Sequence, residues 1–301
     1  MNWDQARKLL HRNSDSFPGG PEPHPGSVPT RAGMHRVRGG SLCVASGKGG
    51  TGKSVVTASL ATLMSRAGRT LIVDADMGVG NAHILQGVAP EHSFVDLVEG
   101  RCGVRDIRAT CGENLDLLAA GSGVSRMAAL SSWEMHLVAG GIEEIEGEYA
   151  HVIVDSAAGI SNQTVALAAA CDLVLIVTTP DITALTDAYA FLKVLFMRSP
   201  ECAPLFVVNR ASSFEEGVQV AERLCGVARR FLRREPRCVG VLPDDRAVVR
   251  CVNSRAPVVA REPDSPFAKA VTLVHGRLQT ELSREAGRGL GQSLLRIASE
   301  H

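Results

Sequence analysis

Aromatic side chains are scarce in this chain: two Trp, two Tyr and eight Phe, 4% of 301 residues, against 45% hydrophobic residues overall. Such Leu/Val/Ala-rich material suits helices layered on a sheet, and the length suffices for one sizeable core. Net charge is missing too. Lys plus Arg number 32 and Asp plus Glu 32, so no global field draws nucleic acid or an anionic surface, and only a local basic patch stays open. The eight cysteines, at 43, 102, 111, 171, 202, 225, 238 and 251, contain no CxxC pair. That spacing argues against a disulfide or zinc framework and for reduced thiols packed as small apolar residues. No apolar run approaches the roughly 20 residues of a membrane span, and the start lacks the apolar core of a secretory signal. A cytoplasmic protein is expected.

What is present divides into four parts. Residues 1–12 include WDQARKLLHR, whose pattern predicts a short helix with Ala6, Leu9 and Leu10 on one side. Residues 13–40 contain FPGGPEPHPGSVP, too rich in proline and glycine for a helix or central strand, and read as a flexible linker. A short helix on a long tether suits reaching a partner; a disordered leader without function fits the pattern equally. Residues 41–282 carry the main domain. In the tail, 283–301, Leu290, Leu294 and Ile297 fall on one side of an amphipathic helix, which leaves three readings open: a membrane contact, a packed helix or a frayed end.

Within the main domain, SLCVAS, TLIVDAD, LDLLAAG, HVIVDSA, DLVLIVTT, PLFVVNR and RCVGVLP read as strands. Their apolarity is continuous rather than alternating, as in strands covered on both faces. Stretches of helical length lie between them at 53–67, 133–146, 160–170, 182–197 and 215–232. Strand and crossover helix therefore repeat, giving an α/β, doubly wound, mainly parallel sheet flanked by helices. Phe267, Val271, Val274, Leu278 and Leu282 share one face of a closing helix.

The chemistry is concentrated in GKGGTGKS: Gly47, Lys48, Gly49, Gly50, Thr51, Gly52, Lys53 and Ser54. It follows an apolar strand and precedes a helix, the context a phosphate loop requires. Glycines let backbone N–H groups turn toward phosphate, Lys53 reaches the β- and γ-phosphates, and Ser54 is placed to hold Mg²⁺. Two more strand ends add carboxylates at the same edge of the sheet: Asp74 and Asp76 in LIVDADMG, and Asp155 in HVIVDSAAGI.

The second lysine, Lys48, has no obvious duty within its own loop, and on it the sequence resembles the deviant Walker A ATPases, the MinD/ParA family. The resemblance implies a P-loop NTPase that binds ATP and Mg²⁺, hydrolyses ATP slowly and dimerises with it, Lys48 reaching a phosphate across the dimer. It further implies that Asp76 positions the attacking water, that Asp74 supports the Mg²⁺ shell and the lysines, and that Asp155 holds that shell through water. Asn81 matches a switch asparagine. Asn209, Arg210, Pro243 and Asp244 match the adenine side. Ala157 stands where many relatives have proline.

Two segments resemble one branch of that family, the flagellar number regulators FlhG (FleN): VTTPDITALTDAYAFLKVL, 177–195, and DQARKLL, 4–10. The second is similar to the element that stimulates the FlhF-type GTPase, which implies partner contacts through Asp4, Gln5, Ala6 and Leu9. Leu10 stands where that element ends in arginine. The branch also implies flagellar basal-body or transcriptional partners and peripheral membrane contact through the tail, with no direct nucleic-acid binding. A partitioning or cargo-positioning ATPase would need a basic DNA face. An iron–sulfur relative would need clustered cysteines.

Overall fold

The run at 41–46 becomes β1 (Gly40–Ser46), in which every residue is buried. A strand covered on both faces must lie inside a sheet. In this computed structural model, which describes residues 40–76, 80–121, 130–285, 287 and 289–299, it does. The expected N-terminal helix, with Asp4, Gln5, Ala6 and Leu9, lies outside the described residues, as does the linker up to residue 39. Beside β1 stand β2 (Thr70–Ala75), β3 (Arg108–Gly112), β4 (Leu115–Leu118), β5 (His151–Ala158), β6 (Leu173–Thr178), β7 (Leu205–Ala211) and β8 (Arg237–Pro243). They form one sheet in the order β3-β4-β2-β5-β1-β6-β7-β8. All neighbours pair parallel except β3 with β4. β1 lies between β5 and β6, so the chain reverses its direction of travel across the sheet there, and ligands in open α/β folds bind at such a switch point.

Seven of these strands coincide with the apolar runs. β3 does not, because RATCG is an edge strand, half-exposed and without a continuous apolar stretch. Its hairpin turns at Glu113 and Asn114, Gly112 pairing with Leu115.

Side chains alternate across the strands and so feed two cores. Leu42 and Val44 of β1 join one with Ile72 and Ile153; Cys43 and Ala45 join the other with Leu71, Val73 and Val154. The first core is closed by α1 (Lys53–Met64), α8 (Arg246–Asn253), α9 (Val258–Arg261) and α10 (Pro266–Glu285). The closing face of α10 holds Phe267, Val271, Val274, Leu278 and Leu282, all buried. The second is closed by α3 (Phe94–Val98), α4 (Ser132–Glu146), α5 (Asn162–Ala170), α6 (Ile182–Arg198), α7 (Phe214–Leu232) and α11 (Leu290–Ser299). The short α2 (Ala82–Leu85) follows β2. α6 is fixed through Phe191, Leu192 and Leu195, all fully buried. Truncating Phe191 to Ala should cost about 3–5 kcal/mol, from lost burial and the cavity left behind, read as a lower urea midpoint.

Tail residues also enter this core. Leu290 and Leu294 are buried against α4 and α5, Ile297 is half-buried, and the Gly291 N–H donates to Glu146 Oε2 at 3.0 Å. Gly291 approaches the Glu143 backbone so closely that a side chain there would collide with it. Of the three readings of the tail, the structure displays a packed helix. Among the described residues no helix is long and apolar enough to cross a membrane.

Candidate nucleotide site

The phosphate loop joins β1 to α1 at the switch point. Gly50 and Gly52 have φ of 80° and 87°, in the left-handed region that glycine tolerates at little cost. Gly52 caps α1 without any side-chain hydrogen bond, and no acidic residue occupies the first turn. The first N–H groups of α1 therefore keep their capacity for an anion. Gly47 is needed for a different reason: a Cβ there would overlap the Asp187 carbonyl of α6, so loop and α6 touch backbone to backbone.

Lys53 is buried and donates from Nζ to Asp155 Oδ1 at 2.6 Å, with Ser54 Oγ at 3.4 Å. Thr57, one turn along α1, donates to the same carboxylate oxygen at 3.0 Å. Register explains the cluster. Asp155 of β5 is level with Val44 of β1 and Asp74 of β2, placing both carboxylates on the face covered by α1. Thr57 carries no motif in the sequence, and only the packing of α1 on β5 reveals it.

Asp74 is fully buried, and both its oxygens accept backbone N–H groups: Oδ1 from Asp76 at 3.2 Å and Oδ2 from Ala82 at 3.1 Å. These hydrogen bonds run to the chain that follows β2, and Lys53 acts on the same carboxyl through its charge. Burial, and then the charge of Asp155, push the Asp74 carboxyl up from 3.8 to about 7, against the two N–H donors and Lys53. A group that binds its proton more tightly when folded stabilises the fold below its folded pKa. Stability from Asp74 should therefore fall as pH rises from about 4 to about 7. Urea midpoints at pH 5 and pH 8 check this, and the slope should shrink in Asp74→Asn.

Asp76 is half-buried at the mouth of the site, and Asn81 is exposed at the start of α2. Asn209 is buried and donates from Nδ2 to the Thr51 carbonyl at 2.8 Å, so it braces the phosphate loop from β7. Arg210 and Asp244 are exposed, 4.0 Å apart, at the ends of β7 and β8, with Pro243 beside them. Arg210 adopts a positive φ of 58°.

Lys48 has an intrachain partner that its sequence position did not suggest. Its Nζ donates to Asp181 Oδ2 at 2.9 Å and also to Thr183 Oγ1. Asp181 is the N-cap of α6, accepting from the Thr183 N–H. The Lys48 hydrogen bond, then those from Thr183, hold its carboxyl down at about 2. Lys48 and Asp181 remain 39% and 49% exposed, so the pair can exchange with water or with another anion. The legible signal was the Asp-x-Thr cap in PDIT, immediately after a strand.

The residues present fit a magnesium nucleotide. Among the described residues Thr51 Oγ1 is buried without a partner and the helix end is uncapped, and Ser54, Asp76 and Asp155 supply hard oxygen donors. Among the described residues no three His, Cys, Asp or Glu group as metal ligands. All eight cysteines are free thiols.

Residues 42–258 match the family described as the CobQ/CobB/MinD/ParA nucleotide binding domain. The chain is 32% identical over 242 residues to the antiactivator FleN of Pseudomonas aeruginosa, covering 80% of this chain and 86% of that protein. It is 29% identical to the flagellum site-determining protein YlxH of Helicobacter pylori, covering 81% and 83%. The septum site-determining protein MinD of Bacillus subtilis is 27% identical, covering 81% and 90%. Among solved structures, MinD of Pyrococcus horikoshii complexed with Mg-ADP superposes with a TM-score of 0.67 at 23% identity, covering 82% and 98%.

Proposed function

The chain belongs to the CobQ/CobB/MinD/ParA nucleotide-binding family, and from that premise we propose that it is a MinD-like ATPase controlling flagellar number and placement through ATP-dependent dimerisation. The observation that carries the flagellar reading is the similarity to FleN along 80% of the chain. The uncapped start of α1, the glycine N–H groups and Lys53 hold the phosphates. Ser54, Asp76 and Asp155 provide the oxygens around Mg²⁺, which when bound offsets phosphate charge. Asp76 orients the attacking water. Asn209 braces the loop, and Arg210, Pro243 and Asp244 border the adenine.

Lys48 leaves Asp181 and neutralises charge on the nucleotide of the second copy, as an arginine finger does in trans. Ile182, directly after Asp181, is 68% exposed, and Ile160, just beyond β5, is 47% exposed. Large apolar side chains bared beside the phosphate loop suit a surface that a second copy covers.

The N-terminal helix, residues 1–12 on the 13–40 linker, stimulates an FlhF-type GTPase through Asp4, Gln5, Ala6 and Leu9, while basal-body or transcriptional partners read the ATP state. The dimer lies peripherally on the inner face of the cell membrane through the tail, and hydrolysis returns the chain to the cytoplasm. Membrane contact requires α11 to leave its seat on α4 and α5. Flotation with anionic liposomes and ATP should succeed for the full chain and fail after deletion of 289–301; unchanged flotation would remove the membrane step.

The test of the flagellar role is GTP hydrolysis by the FlhF-type partner with and without a peptide spanning residues 1–12. Stimulation should appear, and Gln5→Ala should abolish it. Absence of stimulation favours the second reading, a MinD/ParA ATPase that positions another cargo, which the match to MinD of B. subtilis supports.

A further inference from the structure

We propose that Asp74 is a positioning residue: its carboxylate ties Asp76 to the start of α2 and thereby presets the water-orienting side chain before nucleotide arrives. Three observations carry this. Each oxygen of this fully buried group has its own backbone donor, the Asp76 N–H on Oδ1 and the Ala82 N–H on Oδ2. Gly80 packs on the same group, since a Cβ there would stand 2.6 Å from Asp74 Oδ2 and 2.8 Å from Ala120 Cβ. Lys53 acts on Asp74 through its charge, while its hydrogen bonds go to Asp155, which Thr57 also satisfies, and to Ser54. A carboxylate accepts at both oxygens, so one side chain holds two separate points of the chain. An amide accepts on one side only, and in Asp74→Asn one of the two N–H groups faces another donor.

The inference rests on the reading in which Asp76 orients the water, but its first readout does not. In the nucleotide-free full chain, amide exchange resolved at Asp76 and Ala82 should rise at least tenfold in Asp74→Asn. In steady-state hydrolysis at saturating Mg²⁺ the same variant should lose at least tenfold in kcat, with KM for ATP within twofold of the parent. Parental exchange at both amides would overturn the proposal, as would a tenfold rise in half-saturating Mg²⁺ with both amides still protected, the signature of a metal-supporting residue. Faster exchange with parental kcat would leave the tie standing and withdraw the water-orienting role of Asp76.

Gly80→Ala keeps every carboxylate and displaces the tie from the other side, which covers the case that Asp74→Asn does not fold. It should show the same faster exchange at Ala82 and the same fall in kcat. Parental values for both would contradict the proposal.

Discussion

Lys48→Ala should lower ATP hydrolysis at least about 100-fold while ATP still binds within a few-fold of parental affinity. Charge supplied in trans to a transferring phosphoryl group is worth roughly 10³–10⁵ in kcat where an arginine does it. A lysine offers one point charge without the planar fork, so a smaller factor is expected. Binding is expected to survive because Lys53, the glycine amides and the uncapped start of α1, the groups proposed to hold the phosphates, all lie on one chain. Asp181→Asn provides the control. Asparagine caps a helix as well as aspartate does, so α6 keeps its N-cap while Lys48 loses its intrachain counter-ion. Hydrolysis at or above the parental rate is expected. A fall in Asp181→Asn matching that in Lys48→Ala would mean that the intrachain pair itself is what activity needs. Single-turnover hydrolysis together with ATP binding separates these cases.

Asp76→Ala should cost roughly 10²–10⁴ in kcat, the range typical of a side chain that prepares a nucleophile in the transition state, and leave ATP bound. Because Asp76 is half-buried at the mouth of the site rather than packed in the core, its truncation opens no large cavity. The parental melting temperature should be retained. Hydrolysis at the parental rate would reassign the water-orienting role.

The sheet was legible because parallel strands buried on both faces leave uninterrupted apolar runs, and all seven such runs became strands. β3 was not, since a half-exposed edge strand need bury little, and RATCG carries no apolar run to mark it. The phosphate loop was legible residue by residue because its function is local: glycine conformation, a helix start and one lysine. What surrounds it depends on register and packing, which no local pattern encodes. Thr57 reaches Asp155 only because α1 lies on β5, and Asn209 braces Thr51 only because β7 ends beside the loop. Asp181 is the instructive case. Its cap motif was readable, but its pairing with Lys48 requires α6 and the loop to meet, a contact made by Gly47 against Asp187. The tail illustrates the converse: an amphipathic stripe says that a face will be covered, and α4 and α5 cover it here.

The central claim is a nucleotide-dependent dimer in which Lys48 acts across subunits, and sedimentation velocity of Asp76→Ala with Mg²⁺ and ATP tests it most directly. The expected result is a dimer with ATP and a monomer with ADP, and a monomer with either nucleotide once Lys48→Ala is added. A double variant that dimerises with ATP as fully as Asp76→Ala alone would contradict the claim.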